Sequence, residues 1–293
     1  MRHVYECPLR WADLDLLGHV NNVIYVDYLQ EARIDMLRVH APDRRTDELA
    51  DGLVVVRHEV QYVAPLTFRP EPVAIETWVT EVRAASFTMA YEIFDETPAG
   101  RIVYLRATTV LTPFVFATER PRRITADERE VLERFLEDAE PVRAPRGMPA
   151  PHDPAGHYPL HVRYSDVDPY GHVNNVKYFE YVQEARVVLL TRLFKDRAGE
   201  GDAPTVVAQM DVDYKVPILF RPEPYDVWSW ISHVGRSSFV VEAVIADGDR
   251  EFARARAVLV TFDATTQRAA PAGEDYRRVL VEAMAGGLTA PAS

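Results

Sequence analysis

The stretch RWADLDLLGHVNNVIYVDYLQEAR fills residues 10–33, and RYSDVDPYGHVNNVKYFEYVQEAR fills residues 163–186. The two agree at 15 of 24 positions, at an offset of 163 − 10 = 153. Asp, Gly, His and two Asn return at fixed spacing, while other positions drift: Leu17 answers Tyr170 and Ile24 answers Lys177. Similarity at one fixed period is the mark of a repeated structural unit.

The match continues outward. QYVAPLTFRPEP (61–72) answers DYKVPILFRPEP (213–224), and RATTVLTPF (106–114) answers RARAVLVTF (254–262). The offset falls from 213 − 61 = 152 to 254 − 106 = 148. The difference sits at DETPAGR (95–101) against DGDR (247–250), which reads as a longer turn in the first copy. Turns are where two copies of one fold accept insertions. Between the copies, DAEPVRAPRGMPAPHDPAG (138–156) is Pro-rich and reads as an extended linker. The expected organisation is one domain over 1–137, the linker 138–156, a second domain over 157–285 and a flexible tail 286–293.

Within a copy, no Gly or Pro interrupts Val23 to Val39, and Ile24, Tyr28, Ala32 and Met36 recur at helical spacing. Apolar residues cover more than one face, as on a well-buried helix. Asn21 or Asn22 suits the N-cap. The run 53–63 alternates, placing Val54, Val56, His58, Val60 and Tyr62 on one face, and β-rich runs follow at 73–94 and 101–116. Thr125 and Glu128 form a capping-box pattern before a short end helix at 125–137. The fold class is therefore α+β: a long helix against a curled antiparallel sheet, once per copy.

Composition narrows the function. The 293 residues carry a formal net charge of −12. That balance disfavours nucleic acid, whose binding is dominated by phosphate contacts. No apolar run has the length of a membrane span. Cys7 is the single cysteine, so neither a disulfide framework nor a cysteine metal site is expected, and the cytoplasm is the expected location.

GHVNN-x-x-Y preceded by D-x-D resembles the hotdog-fold acyl thioesterases, a superfamily that includes 4-hydroxybenzoyl-CoA thioesterase and the plant acyl-ACP thioesterases. The resemblance spans about 3–116 and 157–262, so the chain looks like a tandem, or double, hotdog. It implies hydrolysis of an acyl thioester. It also implies that the second Asp of D-x-D is the catalytic carboxylate, here Asp15 and Asp168. The acyl-ACP branch adds a His, here His19 and His172. That branch also has an Asn midway between the two, where this chain has Leu17 and Tyr170. Substrate is expected to be acyl-CoA or an acyl carrier protein, with CoA entering only as part of the substrate and no other cofactor. Neither a metal nor a membrane is expected. Assembly of the double chain into homo-oligomers is left open.

The residue types suit that chemistry. A carboxylate can attack a thioester carbonyl or deprotonate a water that does so. The backbone amides near Gly18, Asn21 and Asn22, and near Gly171, Asn174 and Asn175, precede a helix and are candidates for an oxyanion site. Tyr25, Tyr178, Ser86, Ser238, Arg83 and Arg236 are candidate substrate contacts, with Arg57 and Arg221 further candidates for the CoA phosphates. Two rivals are an enoyl-thioester hydratase, disfavoured because LDLLGH lacks the Asn-Pro of that pattern, and a non-catalytic acyl-CoA-binding protein, disfavoured because both motifs are intact.

Overall fold

The computed structural model describes residues 1–40, 52–138, 149–195, 204–263, 266 and 268–286. The chain divides into two compact units, Met1–Ala144 and Pro145–Ser293. Residues 139–148 of the expected linker and 287–293 of the expected tail lie outside the described residues.

In the first unit, strand β1 (His3–Cys7) leads through a 3-10 turn at Trp11–Asp13 to helix α1 (Ile24–His40). Strands β2 (Leu53–Tyr62), β3 (Val73–Val82), β4 (Phe87–Thr97) and β5 (Gly100–Val115) follow. They pair antiparallel in the order β1-β3-β4-β5-β2, and the short β6 (Arg120–Pro121) pairs with β5. Helix α2 (Ala126–Glu133) ends the unit, and its Thr125–Glu128 capping box forms as the sequence indicated.

The second unit repeats this plan. A 3-10 turn at Pro154–Gly156 and strand β7 (His157–Leu160) precede helix α3 (Lys177–Phe194). Strands β8 (Thr205–Tyr214), β9 (Tyr225–Val234), β10 (Ser238–Asp247) and β11 (Arg250–Asp263) come next. Their order is β7-β9-β10-β11-β8, all antiparallel, with β12 (Arg268–Ala269) on β11 and helix α4 (Glu274–Gly286) last.

Alternation decides the core. Ile75, Thr77 and Val79 of β3, Met89, Tyr91 and Ile93 of β4, and Leu105, Ala107 and Thr109 of β5 are all buried. Thr77 donates its hydroxyl to Met36 Sδ at 3.1 Å, so this face looks onto α1. Burying each large apolar side chain contributes roughly 1.5–3 kcal/mol. That sum holds the helix on the sheet.

Three details depart from the sequence reading. The run 4–13 reads as one strand in the sequence, but β1 stops at Cys7, because Pro8 has no amide hydrogen to continue the ladder. The register of β2 shifts between Val55 and Arg57, so Val56 is bulged out and exposed instead of sharing a face with His58. The pairing of β8 with β11 skips Ala208 in the same way. Finally, the extra residues of the first copy lengthen a hairpin instead of its turn. Both turns have two residues, but β4 and β5 add the pairs Glu96↔Arg101 and Thr97↔Gly100 beyond Asp95↔Ile102, where the second unit ends at Asp247↔Arg250.

Candidate active site

The repeated motif folds into a closed loop between β1 and α1. Asp15 donates its amide to the carbonyl of His19 at 2.8 Å, and Gly18 donates to the carbonyl of Asp15 at 3.1 Å. Backbone bridges tie Leu14 to Val20 and His19 to Thr67. Gly18 has φ +76°, a left-handed conformation that suits glycine. The second unit repeats this loop, with Gly171 at φ +85° and bridges Val167 to Val173 and His172 to Leu219.

The loop turns on the Asp side chain. Asp15 Oδ1 accepts from the amides of Leu17 at 2.8 Å and His19 at 3.2 Å. Asp168 Oδ1 accepts from Tyr170 at 2.9 Å and His172 at 3.2 Å. Two bonds to one oxygen fix the carboxylate plane. Among the described residues, no hydrogen bond reaches Oδ2 of either Asp. Both side chains are half-buried.

This changes the expected oxyanion site. The amides of Gly18, His19, Val20 and Asn21 all have acceptors, in Asp15, Asp15, Leu66 and Asp13 respectively. The same holds for Gly171, His172, Val173 and Asn174. Asn21 and Asn174 are not helix caps either. Their Oδ1 atoms accept from Val23 and Val176 at 3.3 Å, two residues on, which is an Asx turn leading into the helix. What the loop leaves in the first unit is Asn22: its amide has no acceptor among the described residues, and its buried Nδ2 has no partner. The equivalent Nδ2 of Asn175 donates to Asn174 Oδ1 at 3.1 Å. The imidazole of His19 makes no hydrogen bond among the described residues, and His172 is likewise half-buried.

Four tyrosines per motif pair support the loop from below. Tyr28 donates to Asp13 Oδ2 at 2.5 Å and Tyr181 to Asp166 Oδ2 at 2.7 Å, so the first Asp of each D-x-D is a buried structural carboxylate. Burial, then the neighbouring carboxylate, pushes both phenols up. Tyr62 and Tyr214 donate to the carbonyls of Asn22 and Asn175 at 2.7 and 2.9 Å. Sequence reasoning left these contacts out, although all four tyrosines recur at the copy offsets.

The remaining candidates are placed as follows. Tyr25 and Tyr178 are buried, and their hydroxyls accept from the amides of Leu66 and Ile218 at 3.3 and 3.0 Å, so they pin the neighbouring strand entry. Ser86 ends a turn just before β4 and Ser238 opens β10; their carbonyls accept from the amides of Arg83 at 2.8 Å and Gly235 at 2.7 Å. Arg83 is mostly exposed and pairs with Glu81 at 2.8 Å, Arg57 pairs with Glu59 at 2.7 Å, and Arg236 is exposed. Arg221 is engaged. It donates to the carbonyls of Glu223 at 3.1 Å and Pro224 at 2.8 Å, and pairs with Asp247. Arg69 does the same with the carbonyls of Glu71 and Pro72 and, through Nη1 and Nη2, with Asp95. FRPEP is therefore a clamp: its Arg wraps its own turn and seizes the far end of the next hairpin. Cys7 is buried, which pushes its thiol up to about 12.

The family model described as "Thioesterase-like superfamily" matches residues 9–142 and 162–280, one segment in each unit and nearly the whole chain. The chain belongs to this thioesterase-like superfamily. Solved structures share the superfamily member's fold over its length. A putative oleoyl thioesterase from Lactobacillus plantarum aligns with TM-score 0.71 at 16% identity, over 90% of this chain and 97% of its own. The 12:0-ACP thioesterase from Umbellularia californica gives 0.69 at 16%, over 89% and 94%. An acyl-ACP thioesterase from Bacteroides thetaiotaomicron gives 0.65 at 15%, over 88% and 97%. No curated protein sequence matches the chain. Superfamily membership supports a thioester hydrolase in general terms. No helix among the described residues is long and apolar enough to cross a membrane.

Proposed function

We propose that the chain hydrolyses an acyl thioester, acyl-CoA or acyl carrier protein, to free acid and thiol, on a double-hotdog framework in which each sheet curls about its long helix. The observation that carries this reading is the doubled carboxylate: Oδ1 is immobilised by two amides and Oδ2 is left without a partner among the described residues, at Asp15 and again at Asp168. A fixed carboxylate with a bare oxygen is suited to general-base work. Oδ2 takes a proton from water as the water oxygen bonds to the thioester carbon. The carbonyl oxygen becomes the oxyanion. Its collapse breaks the carbon–sulfur bond, and the thiolate leaves with a proton returned from the loop. In the first unit, the unmatched amide and Nδ2 of Asn22 are the donors for the oxyanion, and the imidazole of His19 is the group for the departing sulfur. Thiolate is a good leaving group, so the acid matters less than the base.

The test is thiol release across acyl-CoA and acyl-carrier-protein substrates. The double variant Asp15→Asn, Asp168→Asn is expected to lose about 10²–10⁴-fold in kcat/KM, the usual worth of a positioned base. A folded double variant with full activity would refute the mechanism. Single turnover in ¹⁸O-water is expected to leave both Asp side chains unlabelled; label in either would make it a nucleophile.

A further inference from the structure

The inner faces of the two sheets agree in burial and differ in size. In the first unit, Thr77 lies opposite Tyr91, and Tyr91 opposite Ala107. In the second, Ser229 lies opposite Ala243, and Ala243 opposite Ala255. On one side of this row Leu105 becomes Ala253; on the other, Met89 becomes Val241 and Thr109 becomes Ala257, and there the two join a packed cluster with Tyr276 and Leu280 of α4, so the uncompensated loss is in the row and on its Ala253 side. All of these residues are buried. The helix does not compensate at this level: Leu29 becomes Val182, Met36 becomes Leu189 and Ala32 stays Ala185. The large gains, Val26 to Phe179 and Val73 to Tyr225, fall at the end of the layer near the helix start, where Tyr225 pairs with Leu160. Protein interiors pack at a density of about 0.75. Losing a Tyr from the middle of a layer is therefore a change that something must fill.

A second observation points at the same row. The hydroxyl of Thr77 is satisfied by Met36 Sδ at 3.1 Å. In the second unit the helix position of Met36 is Leu189, which offers no sulfur acceptor to the counterpart Ser229. Ser229 is 2% exposed, and its Oγ is buried with no hydrogen-bond partner. A buried hydroxyl is normally paired, and an exception calls for an explanation.

We propose that the row Ser229–Ala243–Ala255 seats the acyl chain in the second unit, and that Ser229 Oγ hydrogen-bonds an oxygen carried on that chain, a hydroxyl or a keto group remote from the thioester. This rests on the thioesterase reading above. Tyr225 holds the carbonyl of Leu219 at 2.9 Å, and Leu219 is bridged to His172. Ser229 lies four residues further along β9, about 13 Å at the usual strand rise. The chain is thus of medium length. Tyr91 closes the corresponding place in the first unit.

The experiment compares decanoyl-CoA with hydroxy- and ketodecanoyl-CoA isomers whose oxygen is moved along the chain. One position is expected to exceed plain decanoyl-CoA about five- to tenfold in kcat/KM, the worth of one hydrogen bond. In Ser229→Ala that ratio is expected to fall to about one. Ala243→Tyr, which copies the first unit, is expected to lower the ratio of decanoyl-CoA to butyryl-CoA turnover at least tenfold; Ala243→Leu reads the same ratio if the Tyr variant does not fold. No preferred isomer, a preference that survives Ser229→Ala, or an unchanged chain-length profile in the folded Ala243 variants overturns the proposal. If no thioester is cleaved at all, the thioesterase reading fails, and the seat is read from free hydroxy- and ketodecanoic acids instead. One of them should raise the melting temperature of the wild type but not of Ser229→Ala, and the absence of any such difference overturns the seat as well.

Discussion

Asp15 Oδ1 receives its two amides at 2.8 and 3.2 Å, and Asp168 Oδ1 receives the same two at 2.9 and 3.2 Å. On the inner face of the sheet, Tyr91 in one unit stands where the other has Ala243. The loop is nearly the same in two copies of one fold, while a row of the sheet's inner face differs in size. Packing tolerates substitution if volume and pattern are kept roughly in balance. A carboxylate that must present one oxygen, as the proposed mechanism requires, has no such latitude. On that proposal, the difference separates what the fold needs from what the chemistry needs.

The sharpest way to break the equivalence of the loops is to disable them one at a time. On a short substrate such as butyryl-CoA, which needs no seat beyond Tyr91, Asp15→Asn and Asp168→Asn alone are each expected to halve turnover roughly, against the loss of about 10²–10⁴ for the pair. If one single variant is as inactive as the double, only that loop is catalytic and the other keeps its geometry for structural reasons. Thiol release on the three variants, with circular dichroism to verify folding, decides it.

The buried carboxylates beneath the loops give the next effect. Tyr28→Phe leaves Asp13 with Arg10 Nε at 3.0 Å, and Tyr181→Phe leaves Asp166 with the amide of Arg163 at 2.9 Å. Depriving a buried acceptor of a donor costs about 1–3 kcal/mol. Each variant is therefore expected to unfold several degrees lower, in a calorimetric or fluorescence melt. A neutral Tyr28→Phe beside a costly Tyr181→Phe would mean that the Arg10 side chain substitutes where a backbone amide does not.

Much of this architecture is readable from the chain because it is written locally. The helix of 24–40, the strands and the Thr125 cap follow from periodicity and neighbours a few residues apart. The Asx loop was also within reach, since an Asp with a Gly three residues on is a turn pattern. What the sequence conceals is long-range. The clamp of Arg69 on Asp95 joins residues 26 apart, and Tyr28 finds Asp13 only once the loop has closed. The bulges at Val56 and Ala208 break an alternation that looks unbroken on paper. The orphaned hydroxyl of Ser229 appears only once its burial and surroundings in the fold are known.

The two clamps offer a smaller contrast. Asp95 is held by Nη1 and Nη2 of Arg69 and by Tyr104 at 2.6 Å, whereas Asp247 is exposed, pairs with Arg221 and, among the described residues, otherwise feels only the charge of Arg250. Arg69→Ala is expected to cost about 1 kcal/mol, and Arg221→Ala less, in urea melts. Arg69 holds the Asp95 carboxyl below its usual range, against desolvation. A depressed carboxylate stabilises the fold above its unfolded value, near 3.8, and that contribution is lost as pH falls through the folded value. Acid sensitivity below about pH 4 is therefore expected to weaken in Asp95→Asn, and an unchanged acid limb would remove the clamp from the account.

The smallest effect belongs to a cluster that only the first unit has. His40 Nε2 meets His3 Nδ1 at 3.1 Å, His3 Nε2 meets Asp35 Oδ2 at 2.8 Å, and the His40 ring lies 4.7 Å from Phe135. The second unit has Leu193 and Val188 in place of His40 and Asp35. Burial, then His3 and Arg134, push the His40 imidazole below its ordinary 6.5, with Asp35 opposing them. The sign follows. The unfolded chain binds a proton at His40 more readily than the folded one, so stability falls as pH drops below about 6.5. His40→Leu, which copies the second unit, is expected to flatten the change in urea midpoint between about pH 7.5 and 5.5, whatever it does to the midpoint itself. Equal slopes in wild type and variant would show that the difference between the units at this position is one of packing alone.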